Sequence, residues 1–231
     1  MFKRISLATA AAVALMAAGA SAHAAIVDWT QWSPTFTTST TNGGAASGVS
    51  GLIGVTYSGE LDNLLFNYPS WGPASTFSGG TVDNAPPAAG GILQLVGGGG
   101  TGPDTITFSS PVLNPVMAIW SLGQNNDPTQ FVFTTSNISL ESGGPSNEYN
   151  GQSITLLGNT VDGVEGNGVI QFNGLVSSIT WNNPSPEFWY GITVGTAGVA
   201  GAPEPAAWAM MLLGFGGLGA AMRQRRKAVL A

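Results

Sequence analysis

The chain has 231 residues, with six Lys and Arg, twelve Asp and Glu, one His and no Cys. Its cations are confined to the two ends, because residues 25–202 contain no Lys, Arg or His. This region is therefore excluded as a nucleic-acid-binding domain, which needs cations to neutralise phosphates. Disulfides, Schiff bases, Ser-His or Cys-His nucleophiles and His-ligated zinc are excluded there as well.

The N-terminus has the pattern of a secretory signal peptide. Lys3 and Arg4 are followed by an uncharged apolar run, and Ala22 and Ala24 occupy the two small-residue positions that signal peptidase reads. We predict a signal peptide over residues 1–24 and signal peptidase as a partner during export. The alternative, a retained membrane helix, is disfavoured by the small residues that end the run.

Residues 25–195 are predicted to form one all-β domain, a single antiparallel β-sandwich. No segment shows a 3.6-residue amphipathic period, and short apolar runs recur between Gly, Pro and Asn clusters. The clearest predicted strands, in chain order, are 52–59, 92–96, 104–108, 116–122, 131–135, 138–140, 154–157, 168–172, 176–181 and 189–194. The Thr- and Ser-rich stretch 36–46 is predicted to be a mobile excursion, and 196–202 a linker.

Alternation of apolar and polar residues in 176–181 and 189–194 predicts that each of these strands buries one face. Trp120 and Trp181 are predicted to be core residues. The domain carries eleven carboxylates and no cation, so its net charge is about −11. We expect an acidic domain that is stabilised by packing and backbone hydrogen bonds rather than by salt bridges.

Two tryptophans are candidates for stacking against a sugar ring, since aromatic side chains combine an apolar face with a polar tip. Trp71 lies in a loop-like stretch and is the better candidate for exposure. Trp189 precedes Tyr190 in the alternating pattern, so one of the two should face away from the core. The alternative for each ring is a structural role.

Asp162 and Glu165 are candidate calcium ligands, because they offer close carboxylates and calcium prefers oxygen. Their spacing does not match an EF-hand, and Asp-Gly is also a common turn dipeptide. No other cofactor is predicted, and no catalytic residue is assigned. The only enzymatic mechanism open to the domain would use a pair of carboxylates, as glycosidases do.

The C-terminus combines a Pro-Glu-Pro motif, an apolar run and a basic cluster. The run 206–222 would span roughly 25 Å as a helix, short but sufficient for a hydrocarbon core of about 30 Å. We predict a transmembrane helix there, with the basic residues on the cytoplasmic side and the motif outside the cytoplasm. The residues concerned are Pro203, Glu204, Pro205 and Trp208 in the motif, and Arg223, Arg225, Arg226 and Lys227 in the basic tail.

In sequence and order, residues 203–227 resemble a PEP-CTERM sorting segment of the PEPxxWA variant. The same kind of segment also carries the name ice-binding protein C-terminal domain, which implies no ice binding. The resemblance implies an exported protein of a Gram-negative bacterium, held in the inner membrane as a precursor and processed by an exosortase. It also implies a mature extracellular or cell-surface form in an exopolysaccharide or biofilm matrix. Ectodomains attached to such segments resemble jelly-roll or lectin-like β-sandwiches.

Three functional hypotheses follow. The first is a non-catalytic, exosortase-processed matrix protein that binds carbohydrate or calcium. The second is a carboxylate-based glycan-active enzyme, which would need facing carboxylates in an aromatic cleft. The third is an ectodomain that stays anchored in the membrane.

Overall fold

The computed structural model of the chain describes residues 24–98, 102–125, 127–187 and 189–197, together with Phe215. Apart from Ala24 and Phe215, the predicted signal peptide and sorting segment lie outside these residues. Across the described ranges, no helix has the length and apolar character needed to cross a membrane.

The described residues form two β-sheets that face each other, with three short 3-10 turns between strands. The strands are β1 (Val27–Trp29), β2 (Gln31–Thr37), β3 (Ser39–Ser50), β4 (Ile53–Leu61), β5 (Asn63–Leu65), β6 (Ile92–Leu95), β7 (Asp104–Leu113), β8 (Val116–Leu122), β9 (Thr129–Phe133), β10 (Ile138–Gly143), β11 (Gln152–Ser153), β12 (Thr155–Leu157), β13 (Thr160–Gly163), β14 (Gly166–Phe172), β15 (Leu175–Asn182) and β16 (Tyr190–Ala197).

Sheet A has the order β10-β14-β8-β16-β6-β5, with β1 added beside β16 and β11 beside β14. Sheet B has the order β12-β13-β9-β15-β7-β4-β3-β2. Pairing is antiparallel throughout the described sheets except between β11 and β14. The predicted all-β class and the two antiparallel sheets of a sandwich are thereby confirmed.

The main core fills the space between the two sheets, and the alternation of strand side chains explains its composition. On β8, Met117 and Ile119 face sheet B, whereas Trp120 faces the other way. Trp181 on β15 lies in the core between the sheets, with no exposed surface. The core positions predicted for Trp120 and Trp181 are both confirmed.

A second apolar layer covers the outer face of sheet A. It comes from the chain between β5 and β6, which carries 3-10 turns at Pro69–Trp71, Ala74–Thr76 and Ala88–Gly90. Phe77 and Val82 from this segment are buried against the outward-facing residues of β8. Sheet A is therefore enclosed on both sides, and β16 is buried at every position from Tyr190 to Thr196. The prediction that this strand buries only one face is wrong, because the segment between β5 and β6 covers the other face. That segment has no strand pattern of its own, so the sequence did not indicate the second layer.

The stretch 36–46, predicted to be a mobile excursion, belongs instead to the β2–β3 hairpin. Phe36 pairs with Ala46, and β3 pairs with β4 with one register shift between Ser39 and Gly44. Thr has a high β propensity, and these strands lie at the edge of sheet B, where one side faces solvent. Their polar composition therefore reflects exposure. At the other end, β16 continues to Ala197, two residues into the segment predicted as a linker.

A buried polar cluster connects the two sheets. Tyr57 donates to Asp104 Oδ1 at 2.7 Å, and Tyr190 donates to Glu60 Oε1 at 3.2 Å. Asn183 Nδ2 donates to Glu60 Oε1 at 2.9 Å and to Asp104 Oδ2 at 3.0 Å. All five residues are buried and none is a cation. Burial raises the pKa of Asp104 to about 7, although its hydrogen bond from Tyr57 acts in the opposite direction.

Candidate functional site

A cavity of about 260 Å³ lies at one end of sheet A, where β8 ends and β14 and β16 begin. The register pairs Leu122 with Gly166 and Trp120 with Gly191, so these three strand ends are neighbours. Ser121 on β8, the segments next to these strand ends and the turn between β10 and β11 supply the walls of the cavity. The lining residues are Ser121, Gln124, Tyr149, Glu165, Glu187 and Trp189.

Two carboxylates line this cavity. Glu187 Oε2 accepts the Gly123 N–H at 2.6 Å, and Glu165 Oε2 accepts the Ser121 hydroxyl at 2.5 Å. Burial raises the pKa of Glu187 to about 8, and the negative charges of Glu165 and Asp127 add to this effect, while the Gly123 hydrogen bond opposes it. This raised pKa favours the protonated form of Glu187, whose O–H is a hydrogen-bond donor.

The backbone on which these groups lie is held in an uncommon conformation. Ser121 and Glu165 have φ angles of 58° and 50°, in the left-handed region that residues with side chains rarely adopt. Asn167, which is fully buried, accepts the Ser121 N–H at 2.9 Å and donates to the Glu165 carbonyl at 2.7 Å. Glu165 N–H also donates to the Gly123 carbonyl at 2.8 Å. Strain of this kind persists where the surroundings fix the backbone, as they do at binding sites.

The opposite part of the wall is aromatic. Trp189 and Tyr149 meet edge-to-face with ring centroids 5.9 Å apart, and Trp120 packs against Trp189 at 5.1 Å. Tyr68 closes the group, 5.2 Å from Trp189. Tyr149 is 43% exposed, whereas Trp120 is completely buried. The cluster thus presents its outer rings to the cavity and anchors them on the second apolar layer.

The structure places the predicted site residues in different environments. Glu165 and Trp189, singled out for separate reasons, lie together in the cavity. Trp71, predicted to be exposed, is 7% exposed and packs edge-to-face on Phe77 at 5.2 Å, because its 3-10 turn directs the ring into the second apolar layer. Its proposed stacking role is therefore corrected to a structural one.

Asp162 and Glu165 lie on different structures despite their closeness in sequence. Asp162 is part of β13 in sheet B, opposite Gln130 and Thr155, whereas Glu165 lines the cavity beside Ser121. Within the part of the chain that is described, no three Asp, Glu, His or Cys side chains are grouped so that they could hold a metal ion.

Sequence reasoning missed Glu187, Tyr149 and Ser121. Glu187 is two residues before Trp189, so an extended backbone places both side chains on one face, and that spacing was an available signal. Tyr149 lies in a Ser-, Gly- and Asn-rich turn closed by the Ser146–Asn150 bridge. Nothing in its local sequence indicates that the turn folds over the end of β8.

Comparison with known proteins gives one match. Residues 201–227 match the family model described as the PEP-CTERM protein-sorting motif. No curated protein and no solved structure matches the chain. The match covers the C-terminal segment that carries Pro203, Glu204 and Pro205, and it confirms the resemblance found in the sequence. The chain is therefore an exported protein that carries a PEP-CTERM sorting motif, the signal for processing by an exosortase.

Proposed function

We propose that the mature domain is a non-catalytic carbohydrate-binding domain of the extracellular exopolysaccharide or biofilm matrix, with its binding site in the cavity at the end of sheet A. The observation that carries the proposal is the cavity wall itself. It combines the rings of Trp189 and Tyr149 with the carboxyl groups of Glu165 and Glu187.

This combination suits a sugar ring. The C–H face of a pyranose is apolar and packs against an aromatic ring, while its hydroxyls need directional polar partners. Glu187 in its protonated form can donate, and Glu165 can accept. The volume of about 260 Å³ suits one ring rather than a long buried chain. The two-sheet architecture also suits a jelly-roll or lectin-like domain, whose ligands are held by loops at one end.

A glycan array probed with the purified exported protein, with and without calcium, tests this function. We expect binding to a defined subset of glycans, which Glu165→Gln weakens. The matched control is Asp162→Asn, which removes a neighbouring carboxylate outside the cavity. Flat signals across the array in both conditions would contradict the proposal, and loss of binding in Asp162→Asn alone would favour the calcium role first considered for that residue.

The carboxylate-based enzyme is the second candidate, and one observation favours it. Glu165 and Glu187 line one cavity, and burial, with a smaller contribution from the charge of Glu165, raises the pKa of Glu187 to about 8. Glycosidases place an acid and a base or nucleophile in such different environments. Incubation of an array-positive oligosaccharide with the protein, followed by a reducing-end assay, separates the two. The enzyme hypothesis predicts release of new reducing ends, which Glu187→Gln abolishes. The binding-domain hypothesis predicts that the oligosaccharide stays intact.

The route to the cell surface completes the proposal. We place the precursor in the inner membrane with the sandwich on the periplasmic side, before the exosortase releases it. A permanently anchored ectodomain is the alternative, and the C-terminus of the mature protein distinguishes the two.

A further inference from the structure

We infer that the sugar bound in this cavity carries a free ammonium group, as a 2-amino-2-deoxyhexose does. This inference rests on the carbohydrate-binding function proposed above and narrows its ligand to one chemical class. Charge and aromatic rings support it independently.

The charge argument starts from the absence of any internal counter-ion. Glu165 and Glu187 both line the cavity, and Asp127 acts on Glu187 through its charge. Residues 25–202 contain no Lys, Arg or His to neutralise Glu165, or Glu187 once it loses its proton. A uronic acid or a sulfated sugar would be repelled, whereas an ammonium group would provide the missing positive partner in a partly desolvated site.

The aromatic argument concerns the remainder of the wall. Trp189 and Tyr149 line the same cavity as the carboxylates, and both ring types attract a cation placed over their face. Carboxylates beside a Trp and a Tyr can hold an organic ammonium group through charge-assisted hydrogen bonds and cation–π attraction. A neutral sugar would use the rings but leave the Glu165 carboxylate without a cation.

A metal ion fits the same cavity less well. Calcium requires six to eight oxygen ligands at roughly 2.3–2.6 Å, whereas the wall offers two carboxylates, one hydroxyl from Ser121, one amide oxygen from Gln124 and two aromatic residues. Among the described residues, no group of three carboxylate or other metal-binding side chains is present to supply the rest. The cavity is also much larger than a single ion requires.

Binding of an ammonium group should release a proton from Glu187. The groups that face this carboxyl are Glu165 before β14, Asp127 in the β8–β9 loop and Tyr190 on β16, and none is positive. A cation in the cavity would reverse the electrostatic contribution that raises the pKa of Glu187. The affinity for tetramethylammonium, whose charge does not depend on pH, should therefore increase with pH up to about 8.

Isothermal titration calorimetry on the purified exported protein tests the inference. The probes are a β-1,4-linked glucosamine tetramer, its fully N-acetylated counterpart and tetramethylammonium. We expect the amine-bearing tetramer to bind at least about tenfold more tightly than the acetylated one, and tetramethylammonium to compete with it. Titrations in buffers of different ionisation enthalpy should show proton release.

The outcomes separate the inference from the function on which it rests. Equal or tighter binding of the acetylated tetramer would overturn the ammonium assignment and leave carbohydrate binding intact. Binding of tetramethylammonium with no binding of either tetramer would overturn the amino-sugar assignment and indicate a site for an ammonium group that is not part of a sugar. If none of the three probes binds, the inference is overturned. The carbohydrate-binding function is tested separately by the glycan array.

A charge-neutral variant makes the test specific to the cavity. Glu165→Gln keeps the size of the side chain and removes its charge, so the preference for the amine-bearing tetramer should fall about tenfold. Asp162→Asn removes one charge from the same region of the chain and should leave the preference unchanged. Equal losses in both variants would show that only the overall negative charge of the domain matters, and would overturn the inference.

Discussion

Glu165 and Glu187 approach opposite ends of one three-residue segment of the chain. Glu165 accepts the hydroxyl of Ser121 at 2.5 Å, and Glu187 accepts the backbone N–H of Gly123 at 2.6 Å. The two carboxyls are 22 residues apart in sequence and come from different loops. The end of β8 therefore sets their relative position, and the candidate site depends on its backbone.

Replacing Gly123 by Ala tests this dependence. Gly123 has a φ of 80°, and a Cβ there would overlap the Gly163 carbonyl oxygen and lie 2.9 Å from the Thr129 nitrogen. We expect a loss of about 3–5 kcal/mol in the free energy of unfolding, measured by denaturant titration. Gly158→Ala is the matched control, because Gly158 has a φ of 63° but no described atom within 4 Å of the added Cβ. It should cost about 1 kcal/mol. Equal costs would show that the end of β8 has room to adjust.

Stability should decrease as the pH rises from about 4 to about 8. Burial raises the pKa of Asp104 to about 7 and that of Glu187 to about 8, so the folded domain binds more protons than the unfolded chain in this interval. The stabilisation is complete below the unfolded pKa values and is lost as the pH passes the folded ones. The change should be on the order of several kcal/mol. Denaturant titrations at pH 5, 7 and 9 measure it.

The Asp104→Asn variant is the control for this pH dependence. It resembles the protonated form and should flatten the part of the curve near pH 7, leaving the part that belongs to Glu187. A free energy of unfolding that stays level or increases from pH 5 to pH 9 in the unmodified domain would contradict the assignment of both groups.

An additional carboxylate in the buried cluster should be poorly tolerated. The Asn183 amide donates to Glu60 and Asp104, so Asn183→Asp replaces a shared donor with a third acceptor. We expect a cost of about 3–5 kcal/mol at pH 8, with a smaller cost at pH 5. Asn182→Asp, at the exposed neighbouring position, should change stability by less than about 0.5 kcal/mol. Thermal melts of both variants at the two pH values measure these costs. Equal costs for Asn183→Asp and Asn182→Asp would contradict the proposed role of Asn183 as the shared donor of the cluster.

The sequence was sufficient for the strands whose apolar residues face the inter-sheet core. The bounds predicted for β8, 116–122, match the structure, and Trp181 is buried as its alternation indicated. It was insufficient for the β2–β3 hairpin, because Thr-rich strands at a solvent-facing sheet edge have the composition of a loop. It also failed for Trp71, since the layer that buries this ring has neither helical nor strand periodicity.

Only individual residues of the candidate site were predictable from the sequence, and their proximity was not. Glu165 and Trp189 were recognisable as polar and aromatic candidates from their local sequence. Their meeting depends on the pairing of β8 with both β14 and β16, which brings together residues far apart in the chain. Tyr149 joins them through a turn whose position depends on tertiary packing. Local patterns carry no information about such contacts.

The sorting motif makes a prediction about the mature C-terminus. Processing by an exosortase near Pro203-Glu204-Pro205 would remove the apolar run and the basic tail. Mass spectrometry of the protein recovered outside the cell should detect no peptide that contains Trp208 through Arg223. Cells without the exosortase should retain the full-length precursor in the membrane fraction. Recovery of intact basic tails from the extracellular protein would contradict cleavage and favour the anchored ectodomain.

The central claim is that the aromatic and carboxylate cavity binds sugar, and Tyr149→Ala tests it most directly. Tyr149 is 43% exposed and contacts Trp120 and Trp189 from the cavity wall, so its removal should leave the domain folded. Calorimetric titration of the variant and the unmodified protein, with the glycan that gives the strongest array signal, compares their affinities. We predict about a tenfold or greater loss of affinity, with the domain still folded and its melting temperature only modestly lowered. Equal affinity in the two proteins would contradict the claim, because it would place the sugar elsewhere.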